Sequence, residues 1–384
     1  MLSFDFTDEQ RGFADTLRQF AVEVLTPGYR NRAASTAFPW DVYRQLGAMG
    51  LLGIGLPEQY GGTGEDDPIL LGLAAETLAY GDVNVAFAPV FSGLVAHQLA
   101  KGATDALAQQ YLPAMIAGER LVAVALTEPG AGSDAAGLAT TARPVSDGYM
   151  LRGEKTAITA AVHAQAALIY AREPGSSGSR GISCFLVPLD APGVTASHTP
   201  AMGCAPLGWG SIHLDDVHIP TNHLIGEPGR GLSGVLGHFD FSRPALGLMC
   251  LGAAQASLDE AICYAKDRTA FGKPLAAFQG VSLALAEQAT YIEAARWLCY
   301  RALWLRAANQ PHTDLAAMGK WWPPIVAKDA IEQAMRTFGN LGYSTELPLQ
   351  QRYRDVMAYL IADGTAEIQK RVVATALLGR VAMG

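Results

Sequence analysis

The chain opens on a helical period. Thr7 with Gln10 three positions on makes a capping box, and Phe13, Leu17, Phe20 and Val24 then recur at helical spacing. Pro27 and Gly28 are expected to end that helix. Further helices are predicted from about Trp40 to Gly50, Pro68 to Tyr80 and Asp105 to Ala117, with Leu56 to Gly64 as a loop marked by Pro57 and its glycines. From about Leu121 to Ile225 the period shortens. Alternation at Tyr149/Leu151 and Ile212/Leu214, and brief apolar runs at Ala166 to Tyr170 and Ile182 to Leu189, predict strands, with the Gly- and Ser-rich Arg172 to Gly181 as a flexible hairpin connection. Long helices return after Gly231, over Leu246 to Ala270, Gln279 to Ala308, Pro324 to Phe338 and Ala366 to Leu378. The pattern therefore predicts three domains, helical over residues 1–120, β over 121–228 and helical over 229–384, without internal repeats.

Composition narrows the function. Half of the 384 residues are hydrophobic, enough for several buried cores, and the formal charge of -8 with no basic cluster argues against nucleic acid. The longest apolar stretch, Pro244 to Ala256, is short against the roughly 20 residues a bilayer requires. Asp5, Asp8 and Glu9 occupy the place where a signal peptide carries positive charge, so a cytoplasmic location is expected, with no membrane association. The five cysteines are scattered and read as reduced core thiols. His213, His218 and His223 recur every five residues, which in a regular strand alternates faces, so no metal site is expected. No G-x-S-x-G or H-E-x-x-H motif supports a hydrolase.

Two segments carry chemistry. In Leu126-Thr127-Glu128-Pro129-Gly130-Ala131-Gly132-Ser133-Asp134, the glycines admit close backbone approach and Thr127, Ser133 and Asp134 supply polar groups, as a cofactor-holding loop requires; a tight turn at a domain boundary has similar composition. Near the carboxyl end, Thr365 reads as the N-cap of the last helix, with Asp363 just before it where the helix dipole can stabilise an anion; taken alone, an Asp-Gly before a helix is usually structural. Gly229 to Gly234 matches a dinucleotide spacing, but Pro228 and the absence of a βαβ unit make it a loop entering a helix.

Together these segments resemble the two signature regions of the acyl-CoA dehydrogenase family. Phe4-Asp5-Phe6-Thr7, Leu56-Pro57-Glu58-Gln59-Tyr60-Gly61-Gly62, and Arg268-Thr269-Ala270-Phe271-Gly272-Lys273 with Gln279 extend the resemblance over essentially the whole chain. It implies a multi-domain α and β fold: an amino-terminal helical domain, a middle β-barrel-like domain and a carboxyl-terminal four-helix bundle, assembled as a homotetramer or dimer. It implies FAD as cofactor, with Leu126, Thr127, Gly132, Ser133, Thr159, Arg336, Asn340, Thr365 and Glu367 at cofactor-contacting positions, and Arg268, Phe271 and Gln279 reaching the FAD of a neighbouring subunit. Ser133, Ser242, Arg243, Ala362 and Gly364 fall at substrate positions, and Asp363 matches the catalytic glutamate. The implied reaction removes a proton next to a thioester while hydride from the β carbon passes to flavin N5, with hydrogen bonds from the flavin ribityl chain and the Asp363 N–H at the carbonyl oxygen.

The chain departs from that pattern at several points. Asp is one methylene shorter than Glu, about 1.5 Å, and a misplacement of that order can cost about a hundredfold in rate. An alternative position for the base holds Ser242, which cannot replace a carboxylate. Ala157 and Ala362 stand in place of a tryptophan and a tyrosine, and Arg336 and Asn340 in place of Gln and Gly. Repacking by Trp209, Trp321 or Phe338 is one explanation; an unusually shaped substrate is the other. The expected substrate is an acyl thioester on CoA or on an acyl carrier protein, as in secondary metabolism, with an electron-transferring flavoprotein or oxygen as acceptor. A nitroalkane-oxidase-like flavoenzyme, which also uses an Asp base, and a non-catalytic flavoprotein scaffold are the alternatives.

Overall fold

A computed structural model of the protein describes residues 5–64 and 67–379; Phe4 of the amino-terminal motif lies outside them. The helices are α1 (Asp8–Phe20), α2 (Thr26–Ala33), α3 (Trp40–Ala48), α4 (Pro68–Gly81), α5 (Val83–Gly102) and α6 (Asp105–Ile116), then α7 (Gly231–Asp267), α8 (Gln279–Ala307), α9 (Thr313–Trp321), α10 (Pro323–Phe338), α11 (Asn340–Tyr343), α12 (Leu349–Ala358) and α13 (Ala366–Leu378). Between α6 and α7 run β1 (Val122–Ala125), β2 (Thr141–Val145), β3 (Gly148–Ile158), β4 (Ala166–Arg172), β5 (Ile182–Pro188), β6 (Val194–His198), β7 (Gly210–Pro220) and β8 (Leu224–Ile225). A small ribbon of β9 (Thr269–Ala270) and β10 (Lys273–Pro274) follows α7.

The capping box forms: Gln10 N donates to Thr7 Oγ1 at 3.2 Å and Thr7 N to Gln10 Oε1 at 3.1 Å. Pro27 and Gly28 do not end the helix. A π turn over Ala21–Leu25 leads straight into α2, and Pro27 falls in the first turn of α2, where its missing N–H costs nothing. Two other departures have the same kind of cause. The helix α5 is apolar all round and contains Pro89, so it shows no amphipathic period, and α7 runs through Pro244 and extends well beyond the apolar stretch read from the sequence. Both are long and apolar enough to cross a membrane, but 83% and 72% of their most apolar windows are buried inside the protein, as in core helices. The predicted end of α7 also moves, because Thr269 and Ala270 pair with Lys273 and Pro274.

The chain divides into two compact units. One comprises Ser35–Asp66 and Phe91–Phe239 and is built around an eight-stranded sheet in the order β6-β7-β3-β2-β4-β5-β8, with β1 parallel to β4. The strands β4 and β5 are buried on both faces, which is why they read as unbroken apolar runs. Ala166, Leu168 and Tyr170 pack with Leu99, Leu107 and Leu112 of α5 and α6, while Ala167 and Ile169 face Leu151, Ile212 and Val217. On β7 a left-handed residue, Asp216 (φ 51°), shifts the alternation, so His213 and His218 both lie exposed rather than on opposite faces. Their neighbours are Glu154 and Asp147.

The other unit comprises Met1–Ala34, Asp67–Val90 and Asp240–Gly384. In it α8 packs on α4, α9 and α10, α13 packs on α9, and α12 on α10. The helix α7 passes so close to α4 that a Cβ at Gly252 would come within 2.1 Å of Glu76 O. Four of the five cysteines are buried thiols; Cys263 is exposed instead. A buried polar network ties the first and last segments: the fully buried Asp355 accepts from Tyr29 Oη at 2.7 Å, Asn84 Nδ2 at 3.0 Å and Gln351 Nε2 at 2.8 Å. Removing one donor from a buried carboxylate costs about 1.5–3 kcal/mol. Tyr29→Phe is therefore expected to lower the melting temperature measurably with secondary structure retained, as followed by circular dichroism; an unchanged melting curve would show the network to be dispensable.

Candidate active site

In the sheet unit, the segment after β1 is held by a buried ion pair. The Lys155 ammonium on β3 donates to Glu128 Oε1 at 2.7 Å and to Leu126 O at 3.2 Å, and Glu128 also accepts from Ala139 N at 2.6 Å and Thr140 N at 3.0 Å. Burial opposes the Glu128 carboxylate, but Lys155 and these donors outweigh it and hold its pKa below the usual value. Burial in turn pushes Lys155 down to about 8 against the pull of Glu128. Reciprocal bonds between Glu128 and Ala131, at 3.0 and 3.1 Å, close the Pro129-Gly130 turn, and Thr156 N pins Thr127 O at 2.9 Å.

That scaffold sets out Leu126, Thr127, Gly132, Ser133 and Thr159 along the loop and the adjoining end of β3. The strand is irregular there: its pairing with β7 shifts between Lys155 and Ile158, and Ala157 and Ala160 take φ of 57° and 63° on either side of Thr159. Among the described residues the hydroxyls of Thr127, Ser133 and Thr159 engage no hydrogen bond, and a Cβ at Gly130 or Gly132 would meet nothing within 4 Å. Unused donors beside open backbone suit the polar edge of a flavin. An open cleft of about 450 Å³ near the start of α7, lined by Glu173, Arg180, Gly181, Pro228, Gly229 and Arg230, contains none of these residues.

In the helical unit, Asp363 follows the unwinding end of α12. Ala362 N still bonds to Ala358 O at 2.9 Å, after which Asp363 (φ 54°) and Gly364 (φ 95°) are successive left-handed residues and Thr365 caps α13, its Oγ1 accepting from Ile368 N at 3.4 Å. A left-handed aspartate costs about 1–2 kcal/mol, so its surroundings must impose it. The buried Gln369 side chain donates to Asp363 O at 3.3 Å and would collide with any Cβ at Gly364. Lys320 on α9 donates to Tyr359 O at 3.0 Å and Gly364 O at 2.7 Å. Burial raises the Asp363 pKa, and the Lys320 and Arg243 cations pull it back only in part. Arg243, 6% exposed, donates to Asp240 Oδ1 at 2.8 Å, and Asp240 Oδ2 accepts from Thr313 Oγ1 at 2.8 Å. Ser242 is buried beside it in sequence, whereas Ala362 is exposed and Gly364 half-buried. Glu367 is exposed in the first turn of α13, its pKa lowered by the helix-end N–H and Thr365.

The remaining positions lie on exposed elements and share no hydrogen bond or ion pair with residues 362–367 among the described residues. Phe271 and Gly272, with φ of 51° and 78°, form the tight turn joining β9 to β10, and this leaves the Phe271 ring 97% exposed. Arg268 and Gln279 flank that hairpin, Arg336 pairs with Glu332, and Asn340 opens α11. The sequence reading missed Glu128, Lys155, Lys320, Asp240 and Thr313. A charged residue among apolar neighbours was the available signal only for Lys320, in Met318-Gly319-Lys320-Trp321-Trp322.

With this geometry in view, comparison with known proteins is decisive for the family. The chain matches the acyl-CoA dehydrogenase N-terminal domain over residues 7–119, the middle domain over 123–217 and the C-terminal domain over 229–378. It belongs to the acyl-CoA dehydrogenase family, and is an FAD-dependent oxidoreductase acting on CH–CH groups. It is 35% identical to "Probable acyl-CoA dehydrogenase YngJ" of Bacillus subtilis over 98% of this chain and 100% of that one. Among solved structures it is similar to "PigA with FAD and proline", at TM-score 0.95 and 27% identity over 99% and 100% of the two chains. The prolyl acyl carrier protein oxidase AnaB matches at TM-score 0.93 and 27% identity over 97% and 100%.

Breaking a buried ion pair by removing one partner costs about 3–5 kcal/mol. Lys155→Met is expected to lower thermal stability by that order and to release the Thr127–Ser133 loop, so that the purified chain carries less flavin per protomer. Full flavin content by visible absorbance would contradict the scaffold role.

Proposed function

We propose that this chain desaturates an acyl thioester, carried on CoA or on an acyl carrier protein, with Asp363 as the base. The observation that carries the reading is a half-buried carboxylate set on a strained left-handed turn and acted on by two cations, Lys320 and Arg243. Perturbed carboxylates so placed suit proton abstraction, because burial raises basicity while the cations keep the anion accessible. Asp363 takes the α proton; its own backbone N–H is available to the thioester carbonyl oxygen as negative charge develops there. Bound FAD supplies the two-electron acceptor for the β hydrogen. Thr127, Ser133 and Thr159 would hold the cofactor's polar edge, and the family resemblance supports Leu126, Gly132, Thr365 and Glu367 as further cofactor-contacting positions. Ala157 and Ala362, standing in place of a tryptophan and a tyrosine, support an acyl group of unusual shape, short or branched.

The exposed Phe271 turn with Arg268 and Gln279 is assigned to a neighbouring copy of the chain, giving a homotetramer or dimer, and Arg336 and Asn340 to the far end of the cofactor. An electron-transferring flavoprotein or oxygen would serve as the electron acceptor, with the enzyme placed in the cytoplasm and in secondary metabolism. The similarity to YngJ supports CoA as carrier, and that to AnaB supports a carrier protein.

Anaerobic mixing of the holoenzyme with acyl-CoA, carrier-bound acyl and nitroalkane compounds tests the reading. One thioester class is expected to bleach the flavin. Bleaching by nitroalkanes alone, or by nothing, would favour the oxidase-like or scaffold alternatives. Asp363→Asn should retain FAD and lose bleaching by at least about a hundredfold. Because the base acts as its anion and its pKa lies above the ordinary aspartate value, the wild-type rate should fall on acidification at a higher pH than an unperturbed aspartate would give. A rate independent of pH down to the ordinary aspartate range would contradict the assignment.

A further inference from the structure

We propose that Lys320 is a positioning residue for the base: one buried ammonium clamps both ends of the turn that carries Asp363. The clamp itself is a property of the helical unit, while its catalytic consequence rests on Asp363 being the base of the thioester reaction.

Lys320 is 1% exposed near the end of α9, and its two acceptors bracket the turn. Tyr359 is the C-cap of α12, and Gly364 directly follows Asp363 and precedes the cap of α13. The C-terminal carbonyls of a helix carry partial negative charge, so the ammonium stabilises the end of α12 while it fixes the exit of the turn. No carboxylate lies within ion-pair distance of Lys320 among the described residues. A buried cation normally requires an anionic partner. Here the compensating anion is Asp363, which acts on Lys320 from beyond contact distance, and the two carbonyls hold the ammonium in place for it. A lysine serving only to fill space is replaceable by an apolar chain of similar length; this one spends two donors on the backbone either side of a single carboxylate.

Among the described residues, the charged and titratable groups that act on the site come from α7, α9 and α13. Lys320 from α9 and Arg243 from α7 face Asp363, Asp240 on α7 neutralises Arg243 and is itself held by Thr313, Cys250 on α7 acts on Lys320, and Glu367 in the first turn of α13 is exposed. Asp240 leaves Arg243 partly compensated, so Lys320 is the cation whose loss should move the base. Burial pushes Lys320 down to about 8, which keeps it protonated at neutral pH. Loss of that charge raises the Asp363 pKa further, and the acid limb of the rate moves to higher pH.

The test compares Lys320→Met and Lys320→Gln with Lys320→Arg in the holoenzyme. Hydrogen exchange of the backbone from Tyr359 to Thr365, followed by mass spectrometry, reads the clamp without reference to substrate. It should quicken at least about tenfold in the neutral variants and stay near wild type with arginine. Flavin reduction by whichever thioester bleaches the wild type should fall at least about tenfold in kcat with little change in KM, the acid limb shifting upward by at least about half a pH unit; arginine should restore the acid limb and most of the rate. Unchanged exchange in Lys320→Met overturns the clamp. Faster exchange with an unmoved acid limb and kcat overturns the positioning role. If both neutral variants fail to fold while Lys320→Arg folds, the residue belongs to stability, and the proposal is also overturned. Failure of every thioester to bleach the wild type is a separate result, since it removes the thioester reading and leaves the exchange measurement standing.

Discussion

In the proposed reading Asp363 acts as a base, and such a carboxylate must be partly withdrawn from water without being forced to keep its proton. Burial alone raises the pKa of an aspartate and disfavours the anion. Direct ion pairs would suppress basicity in the opposite direction. The protein takes an intermediate course: Lys320 and Arg243 act from beyond ion-pair contact, each anchored elsewhere, one on backbone carbonyls and the other on Asp240. The strained conformation of Asp363 follows from the same arrangement. Its turn is fixed at both ends by Lys320 and braced by Gln369, so the left-handed backbone is imposed by three helices rather than chosen by the residue.

The sheet unit solves a related problem with a direct pair. Glu128 and Lys155 are buried in contact, and the carboxylate is further satisfied by two backbone N–H groups. The outcome is rigidity instead of reactivity: the Gly-rich loop is bound to β3 on one side and to the Ala139–Thr140 backbone on the other. One buried pair thus fixes the Thr127–Ser133 loop, and one separated set of charges shifts the pKa of Asp363.

Much of this was legible in the sequence where a local rule decides the structure. The Thr7–Gln10 box, the Thr365 cap and the doubly buried strands β4 and β5 announce themselves because capping groups and apolar runs act within a few residues. Pro27 misled because a π turn placed it in a new first turn, and α5 escaped because a helix buried on all sides has no amphipathic period. The alternation on β7 failed at a single left-handed residue, Asp216. At the candidate site the polar positions of the loop and of Asp363 were visible as residue types in place. Their partners were not, since Lys155 is 27 positions from Glu128 and Lys320 is 44 from Gly364, and nothing local to a lysine says which carbonyl it will find.

The most direct measurement of the central claim separates proton abstraction from redox chemistry. A thioester bearing an acidic α hydrogen but no removable β hydrogen, incubated with the holoenzyme in deuterium oxide, should exchange its α hydrogen in the presence of the wild type. With Asp363→Asn the exchange should fall to the rate seen without enzyme, as followed by mass spectrometry. Exchange that persists at the wild-type rate in that variant would mean that some other group is the base.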